Sequence, residues 1–307
     1  MIESANLHRH LIVCGLGYTG VATARAAAEA GLRVTAVTRD PANAPPLGAV
    51  TIVPFAAAGA AFADATHLLA TAPPPGDGGE GEGADPVLHA HAAAIEAAPR
   101  LRWLGYLSTT GVYGDRGGGW VDETTPPAPG QDRSQRRLAA EQAWAALTTT
   151  RAVDLFRLAG IYGPGRSAFD DLRAGRARRI DKPGHAFGRI HRDDIVAAIL
   201  AAVGQDLPPG VRVLNLNDDE PAEPALVVEE AARLLGMEPP KLTPFAEIEA
   251  RMSPMGRSFW SESRRVASAG TQAALGLRWR YPTFREGLRG ILAEEPISNQ
   301  TTDRPGE

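Results

Sequence analysis

Three glycines, Gly15, Gly17 and Gly20, stand between an apolar run, Leu11 to Cys14, and an alanine-rich stretch, Val21 to Ala30. Strand, tight turn and helix in that order aim backbone N–H groups and the positive end of a helix dipole at a phosphate. Gly15 can take the turn's backbone angles, Gly17 lets a pyrophosphate approach the main chain, and Gly20 lets the helix pack closely on the strand. Leu16, Tyr18 and Thr19 complete the loop and belong to the same cofactor-binding set. With 33 glycines in 307 residues the spacing alone is weak. Its context carries the reading, because a second β-type run, Arg33 to Thr38, follows where the next parallel strand belongs. After that run comes Arg39 instead of an acidic residue, with Asp40 one place later. This favours the 2′-phosphate of NADP over the free ribose of NAD, the plain alternative being a solvated arginine at a strand end.

Other groups able to do chemistry cluster at the predicted ends of later strands. A third strand is expected over Val50 to Phe55 and a fourth over His67 to Thr71, ending in Thr71-Ala72-Pro73, small residues that let a cofactor pass. A fifth, Arg102 to Ser108, delivers the hydroxyls of Ser108 and Thr109. A sixth, Val153 to Leu158, opens into Ala159, the last of the cofactor set, and then Gly160 to Gly165. Helices are expected at Pro86 to Ala98, capped by Asp85, and at Asp132 to Leu147, burying Leu138, Trp144 and Leu147. Further helices fit Ser167 to Gly175 and Ile195 to Val203, and Val211 to Asn217 should return to the sheet.

Strands alternating with helices argue for an α/β fold, a doubly wound parallel sheet, with a smaller, mostly helical C-terminal substrate lobe. The expected division gives residues 1–165 and 186–217 to the dinucleotide-binding domain and 166–185 and 218–293 to the substrate lobe, with 294–307 a flexible tail. Pro74 to Ala84 is too rich in proline, glycine and acidic residues to build a core and is expected to be mobile.

Composition narrows the partners. A formal charge of -4 gives no overall pull toward nucleic acid, and the arginines of Arg173 to Arg179 read as a solvated helix end or a local anion contact. The single cysteine, Cys14, excludes an intramolecular disulfide and a cysteine-based zinc site, and is expected to be a small buried hydrophobe. His8, His10, His89 and His91 lack metal-ligand spacing and read as surface residues, so no metal is expected. With no apolar run near 18 residues and strand one starting within ten residues of Met1, the expectation is a cytoplasmic protein with no membrane partner.

The chain resembles the extended short-chain dehydrogenase/reductase (NAD-dependent epimerase/dehydratase) superfamily. Besides the glycine loop, the resemblance rests on Ser108 to Gly114, on Arg157 to Gly165 and on Ile190-His191-Arg192-Asp193-Asp194-Ile195. It is similar to an atypical bacterial subgroup, marked also by the run Ser253 to Phe259. The resemblance implies a Rossmann domain, a small-molecule substrate and a homodimer through the helix at Asp132 to Leu147. In the superfamily a Ser or Thr hydroxyl polarises the substrate oxygen, a Tyr transfers the proton, and a Lys four residues on lowers the Tyr pKa. Thr109 matches the hydroxyl, with Ser108 beside it, whereas counting back from Glu141 puts Arg137 at the Lys position and Arg133 at the Tyr position. Arginine stays protonated and cannot hand over a proton as tyrosine does. Tyr113, Tyr162 and His191 are the substitute acids the resemblance brings near the cleft, Tyr162 being equally suited to stacking on the cofactor or packing in a core.

Two functional expectations follow. One is an NADP-dependent oxidoreductase or epimerase/dehydratase-like enzyme acting by hydride transfer on a carbonyl or hydroxyl substrate. The other, motivated by Arg133 and Arg137, is a catalytically silent NADP-binding sensor or regulatory protein.

Overall fold

A computed structural model of the chain describes residues 9–76 and 84–295. Most of the Pro74 to Ala84 stretch and of the tail from Glu294 lies outside them. In chain order the elements are β1 (His10–Cys14), α1 (Tyr18–Glu29), β2 (Arg33–Thr38), β3 (Thr51–Pro54), α2 (Ala58–Phe62), β4 (His67–Ala70), α3 (Pro86–Glu96), β5 (Trp103–Thr109), β6 (Trp120–Val121), α4 (Asp132–Ala145), β7 (Ala152–Leu158), β8 (Gly160–Tyr162), α5 (Ala168–Arg173), β9 (Arg179–Asp181), β10 (Arg189–His191), α6 (Arg192–Gly204), β11 (Gly210–Leu216), α7 (Pro224–Leu235), β12 (Leu242–Pro244), α8 (Phe245–Ile248), α9 (Pro254–Trp260), β13 (Arg265–Val266), α10 (Ala269–Leu275) and α11 (Phe284–Glu294).

Seven strands form one parallel sheet in the order β11-β7-β5-β4-β1-β2-β3. The chain moves outward from β1 through β2 and β3, then returns to the other side of β1 with β4. The order therefore reverses between β1 and β4, where an open parallel sheet forms a crevice at its carboxyl edge. β1 is buried on both faces, with Leu11 and Val13 packed among α1 and α6 residues and Ile12 and Cys14 among residues of α3 and α4. This is why it reads as a continuous apolar run. Cys14 is 1% exposed.

The third core is separate from the sheet. Phe169 and Leu172 of α5, Ala231 and Ala232 of α7, and Phe284, Leu288 and Ile291 of α11 pack together with Tyr162. Three parallel pairs of two or three residues, β8 with β10, β9 with β12 and β6 with β13, join segments far apart in sequence. No periodicity test detects strands that short.

Two expectations are corrected. Leu138 is only half-buried, as is Leu147 just past the helix end, and α4 buries Ser134, Ala140 and Glu141 together with the expected Trp144. A glutamate faces inward there because a buried arginine, described below, receives it. His10 is buried in β1, its Nε2 lying 2.9 Å from Thr35 Oγ1, because β1 is central and leaves no surface position.

His67 in β4 is fully buried; its Nδ1 lies 2.8 Å from Thr66 Oγ1, and among the described residues Nε2 has no partner. Burial pulls its pKa down to about 3, with Arg102 and Arg9 acting in the same direction. The unfolded chain therefore takes up this proton near pH 6.5 while the folded protein resists it, so stability present above pH 6.5 is lost progressively as pH falls toward 3. Between pH 7 and pH 5 this group should remove about 2 kcal/mol. Urea midpoints of the wild type and His67→Phe at the two pH values check this. The variant should fall less, and equal falls would refute the assignment.

Candidate functional site

The glycine loop lies at the sheet's switch point. Gly15 has φ 113°, conformational space that favours glycine, and its N–H donates to Val37 O at 2.9 Å, tying the turn to β2. Thr71 Oγ1 donates toward Gly15 O at 2.9 Å and Cys14 O at 3.1 Å, so the end of β4 braces the loop. A Cβ on Gly20 would stand 2.0 Å from Gly15 O, whereas one on Gly17 would meet nothing within 4 Å. Gly17 is the N-cap of α1 and no side chain caps its first turn. Open space over Gly17, a close approach at Gly20 and free N–H groups at a twelve-residue helix suit a bound pyrophosphate.

The other cofactor-set residues fall around this cradle. Leu16 packs against the core beneath the loop and Thr19 is buried in the first turn of α1. Tyr18 donates to Pro164 O at 3.0 Å, and its ring is flanked by the guanidinium carbons of Arg192 at 5.3 Å and Arg166 at 5.7 Å. Arg39 is exposed just past β2, while Asp40 is engaged by Asn43, whose side-chain amide donates to it at 2.7 Å. Both side chains are exposed, and of the two Asp40 has the hydrogen-bonded partner. Pro73 and Ala159 line the adjoining cleft; Gly15 to Gly20, Arg39, Thr71 and Ala72 do not.

That cleft, about 690 Å3, takes in Ser108, Thr109, Arg133, Arg137 and Tyr162. All five proposed catalytic residues are thus brought together, in different conditions. Ser108 is committed: its hydroxyl donates to Glu141 Oε1 at 2.5 Å, and Arg157 Nη2 donates to Glu141 Oε2 at 2.7 Å, both charged side chains being 5% exposed or less. The Arg157 guanidinium also lies 4.7 Å from the Tyr113 ring centroid. Thr109 Oγ1 accepts from Gly111 N at 3.1 Å and leaves its own proton available to the cleft. Arg137 Nη1 donates to Leu107 O at 2.7 Å and to Tyr106 OH at 3.2 Å, which fixes its charge beneath β5. Arg133 lies 4.1 Å over the Phe259 ring and, among the described residues, makes no hydrogen bond or ion pair. Burial lowers its pKa, an effect that Glu262 opposes.

The substitute acids separate clearly. Tyr113 does not line the cleft; its hydroxyl lies 2.8 Å from both Asp122 O and Asn215 Oδ1. His191 is also absent from the lining and instead caps α6, Nδ1 accepting from Asp193 N at 3.2 Å. Burial lowers the His191 pKa to about 4, so the ring is neutral near pH 7. Tyr162 lines the cleft but is 9% exposed, packed edge-on to His191 and against Gly287, and burial raises its pKa.

Sequence reasoning missed Ser134, Arg136, Arg189, Phe259, Glu262 and Arg264, all of which line the cleft. Ser134 had a detectable signal, being next to Arg133 and one turn before Arg137. A Cβ on Gly111 would stand 2.8 Å from Ser134 Oγ and 3.3 Å from Thr109 Oγ1, so the two hydroxyls flank one glycine. Arg189, Glu262 and Arg264 come from β10 and the segment between α9 and β13, which only the fold brings to the sheet edge. The arginines at 173, 176 and 179 are taken up by ion pairs with Glu295, Asp171 and Glu229. Among the described residues no cluster of His, Cys, Asp and Glu could hold a metal ion, and no helix is long and apolar enough to cross a membrane.

No protein-family model matches the chain. A conserved protein of unknown function from Silicibacter pomeroyi DSS is 40% identical, with 93% of this chain and 99% of that one superposed at a TM-score of 0.83. Among curated proteins, Protein YeeZ of Escherichia coli (strain K12) is 36% identical over 146 residues, which are 47% of this chain and 50% of YeeZ. The chain thus spans about half the length of that relative. A 3-diazoavenalumate denitrifying reductase from a Streptomyces species is 27% identical over 65% of this chain and 68% of its own length. The fold is shared with MoeE5 in complex with UDP-glucuronic acid and NAD, at 20% identity and TM-score 0.74 over 92% of this chain and 98% of MoeE5. It is also shared with human epimerase family protein SDR39U1 with NADPH, at 18% identity and TM-score 0.72 over 93% and 100%.

Proposed function

We infer that the chain, a member of the extended short-chain dehydrogenase/reductase superfamily, is a nicotinamide-dinucleotide-dependent oxidoreductase or epimerase/dehydratase-like enzyme. NADP is the proposed cofactor, and a small carbonyl or hydroxyl compound the substrate. One observation carries the reading: the cradle at Gly15, Gly17 and Gly20 leads, through Pro73 and Ala159, into the cleft where Thr109, Ser134 and the arginines converge. The complexes of MoeE5 with NAD and of the human protein with NADPH support a cofactor of this class without choosing between the two. Exposed Arg39, beside an Asp40 already engaged, supports NADP.

When bound, the cofactor supplies a hydride acceptor or donor at nicotinamide C4. The chain's own residues do the remaining work. Gly17 and the first turn of α1 would hold the pyrophosphate, and Arg137, fixed by Leu107 O and Tyr106 OH, would set positive charge beside the nicotinamide ribose. Thr109 orients the substrate oxygen with its hydroxyl proton. Ser108, held by Glu141, fixes the end of β5 and acts as a positioning residue. Tyr162 forms part of the wall. Arg133 carries positive charge where the superfamily's proton donor stands and does not titrate near neutral pH.

The proposed division assigns residues 1–165 and 186–217 to the nucleotide-binding unit and 166–185 and 218–293 to a substrate lobe, supported by the separate core of α5, α7 and α11. Assembly as a homodimer through α4 and a cytoplasmic location belong to the same reading. The silent-sensor alternative draws on Arg133 and Arg137 alone. NADPH titration followed by tryptophan fluorescence, then turnover across a carbonyl and sugar-nucleotide panel, separates them. The enzyme reading expects saturable binding and a 340 nm absorbance change that Thr109→Ala reduces about 100-fold, the scale of a lost acid–base or polarising contact. Binding with no turnover of any substrate leaves the sensor, and no binding removes both.

A further inference from the structure

The cleft carries more positive charge than the proposed chemistry uses. Six arginines and a single carboxylate, Glu262, line it in a chain whose formal charge is -4. The cofactor's phosphates have their own provision, since neither the glycine loop nor Arg39 lines the cleft, and Arg166 and Arg192 flank Tyr18 of that loop. Arg137 is held by Leu107 O and Tyr106 OH, and Arg189 Nη1 donates to Phe187 O and Ala222 O, each at 2.9 Å. Arg264 is spent on Gly114 O and Glu262, both at 2.8 Å. Arg133 differs from these.

The Arg133 guanidinium is half-buried, its carbon 4.1 Å over the Phe259 ring centroid, and without a hydrogen bond or ion pair among the described residues. Contact with an aromatic ring restrains a guanidinium and leaves its planar N–H fork open to a two-oxygen acceptor. Leaving such a charge half-desolvated and unpaired is costly, and an anion arriving in the cleft would offset that cost. Glu262 relieves it only in part: its charge favours the charged guanidinium, but its Oε2 is paired with Arg264 and its Oε1 is buried without a hydrogen-bond partner among the described residues. Leu158, Ile161, Phe187 and Val266 line the same cleft and offer it apolar surface.

We propose that the substrate carries an anionic oxygen group, a carboxylate or a phosphate on an apolar frame, and that Arg133, backed by Phe259, receives it. On this account the position that holds a proton donor elsewhere in the superfamily has become an anion receptor, and the substrate is anchored there while Thr109 meets its reacting oxygen. The inference rests on the reading of this cleft as the substrate site.

Isothermal titration of the full chain, saturated with NADP+, with benzoate, phenyl phosphate and neutral benzamide tests it. At least one anion should bind about tenfold more tightly than benzamide, as expected for a charge-assisted fork, and the stronger of the two tells carboxylate from phosphate. Arg133→Met should erase the preference while NADPH affinity stays within about twofold. Arg133→Lys, which keeps the charge and loses the fork, should retain only part of it. Phe259→Ala, a surface truncation, should reduce it about threefold and serves if Arg133→Met fails to fold. NADPH binding with no anion preference, or a preference unchanged in Arg133→Met and Phe259→Ala, overturns the anion receptor alone. Failure of the wild type to bind NADPH overturns the functional reading beneath it.

Discussion

Gly17→Ala is expected to leave the fold intact and remove the cofactor. At this position φ is -76° and an added Cβ meets nothing within 4 Å, so neither backbone strain nor a clash opposes alanine. Its stability change should stay within about 0.5 kcal/mol, the range of an exposed substitution. The same methyl would occupy the space through which a pyrophosphate approaches the N–H groups of α1, and NADPH affinity should fall about 100-fold or more, near 3 kcal/mol. Gly20→Ala makes the contrast. Its Cβ would stand 2.0 Å from Gly15 O, a backbone atom that cannot swing away, so this variant should lose about 1–3 kcal/mol of stability as well. Thermal denaturation and NADPH titration of both variants separate the roles. A Gly17→Ala protein that binds NADPH as tightly as wild type would remove the loop from cofactor binding.

The second large effect is expected at Glu141. Its carboxylate receives Arg157 and the Ser108 hydroxyl in a site closed to water. Glu141→Ala leaves the Arg157 charge buried without its partner and should cost about 3–5 kcal/mol in urea unfolding. Replacing both members, Glu141→Leu with Arg157→Met, should recover much of that loss, because the expense lies in the unpaired charge and not in the absence of the pair. A loss below about 1 kcal/mol in Glu141→Ala would mean that the pair carries little net interaction. The double variant should still lose Thr109-dependent turnover, since Ser108 would no longer be held at the end of β5.

How far the sequence revealed this depends on range. The glycine loop was legible because strand, turn and helix are contiguous, and Gly15 and Gly20 answer local demands that alanine would violate. The seven-stranded sheet was legible for a similar reason: β1, β4, β5 and β7 are buried along almost their whole length and read as mainly apolar runs, although β7 also buries Asp154 and Arg157. Glu141 served to place Arg137 and Arg133 by spacing, but its inward orientation was not legible, because Arg157 lies on a separate element, β7, and supplies the reason for it. The cleft was only half visible. Thr109, Arg133 and Arg137 belong to local patterns, whereas Phe259, Glu262 and Arg264 reach it through the two-residue pairing of β13 with β6, which aligns Arg265 with Trp120. Ser134 was overlooked because the superfamily pattern draws attention to its neighbours. Of the candidate substitute acids, Tyr113 and His191 carry suitable groups but do not line the cleft, and their hydroxyl and ring nitrogen are engaged in local hydrogen bonds.

The central claim is that the cradle at Gly15, Gly17 and Gly20 delivers a nicotinamide ring into the arginine-lined cleft in front of Thr109. A crystal structure of the full chain with NADPH tests it most directly. The account predicts the pyrophosphate over Gly17 at the start of α1, the 2′-phosphate beside Arg39, and Thr109 Oγ1 within hydrogen-bond reach of the space above nicotinamide C4, with Arg133 facing that same space. A nicotinamide bound outside the cleft, or a cofactor whose pyrophosphate avoids the Gly17 cradle, would contradict it.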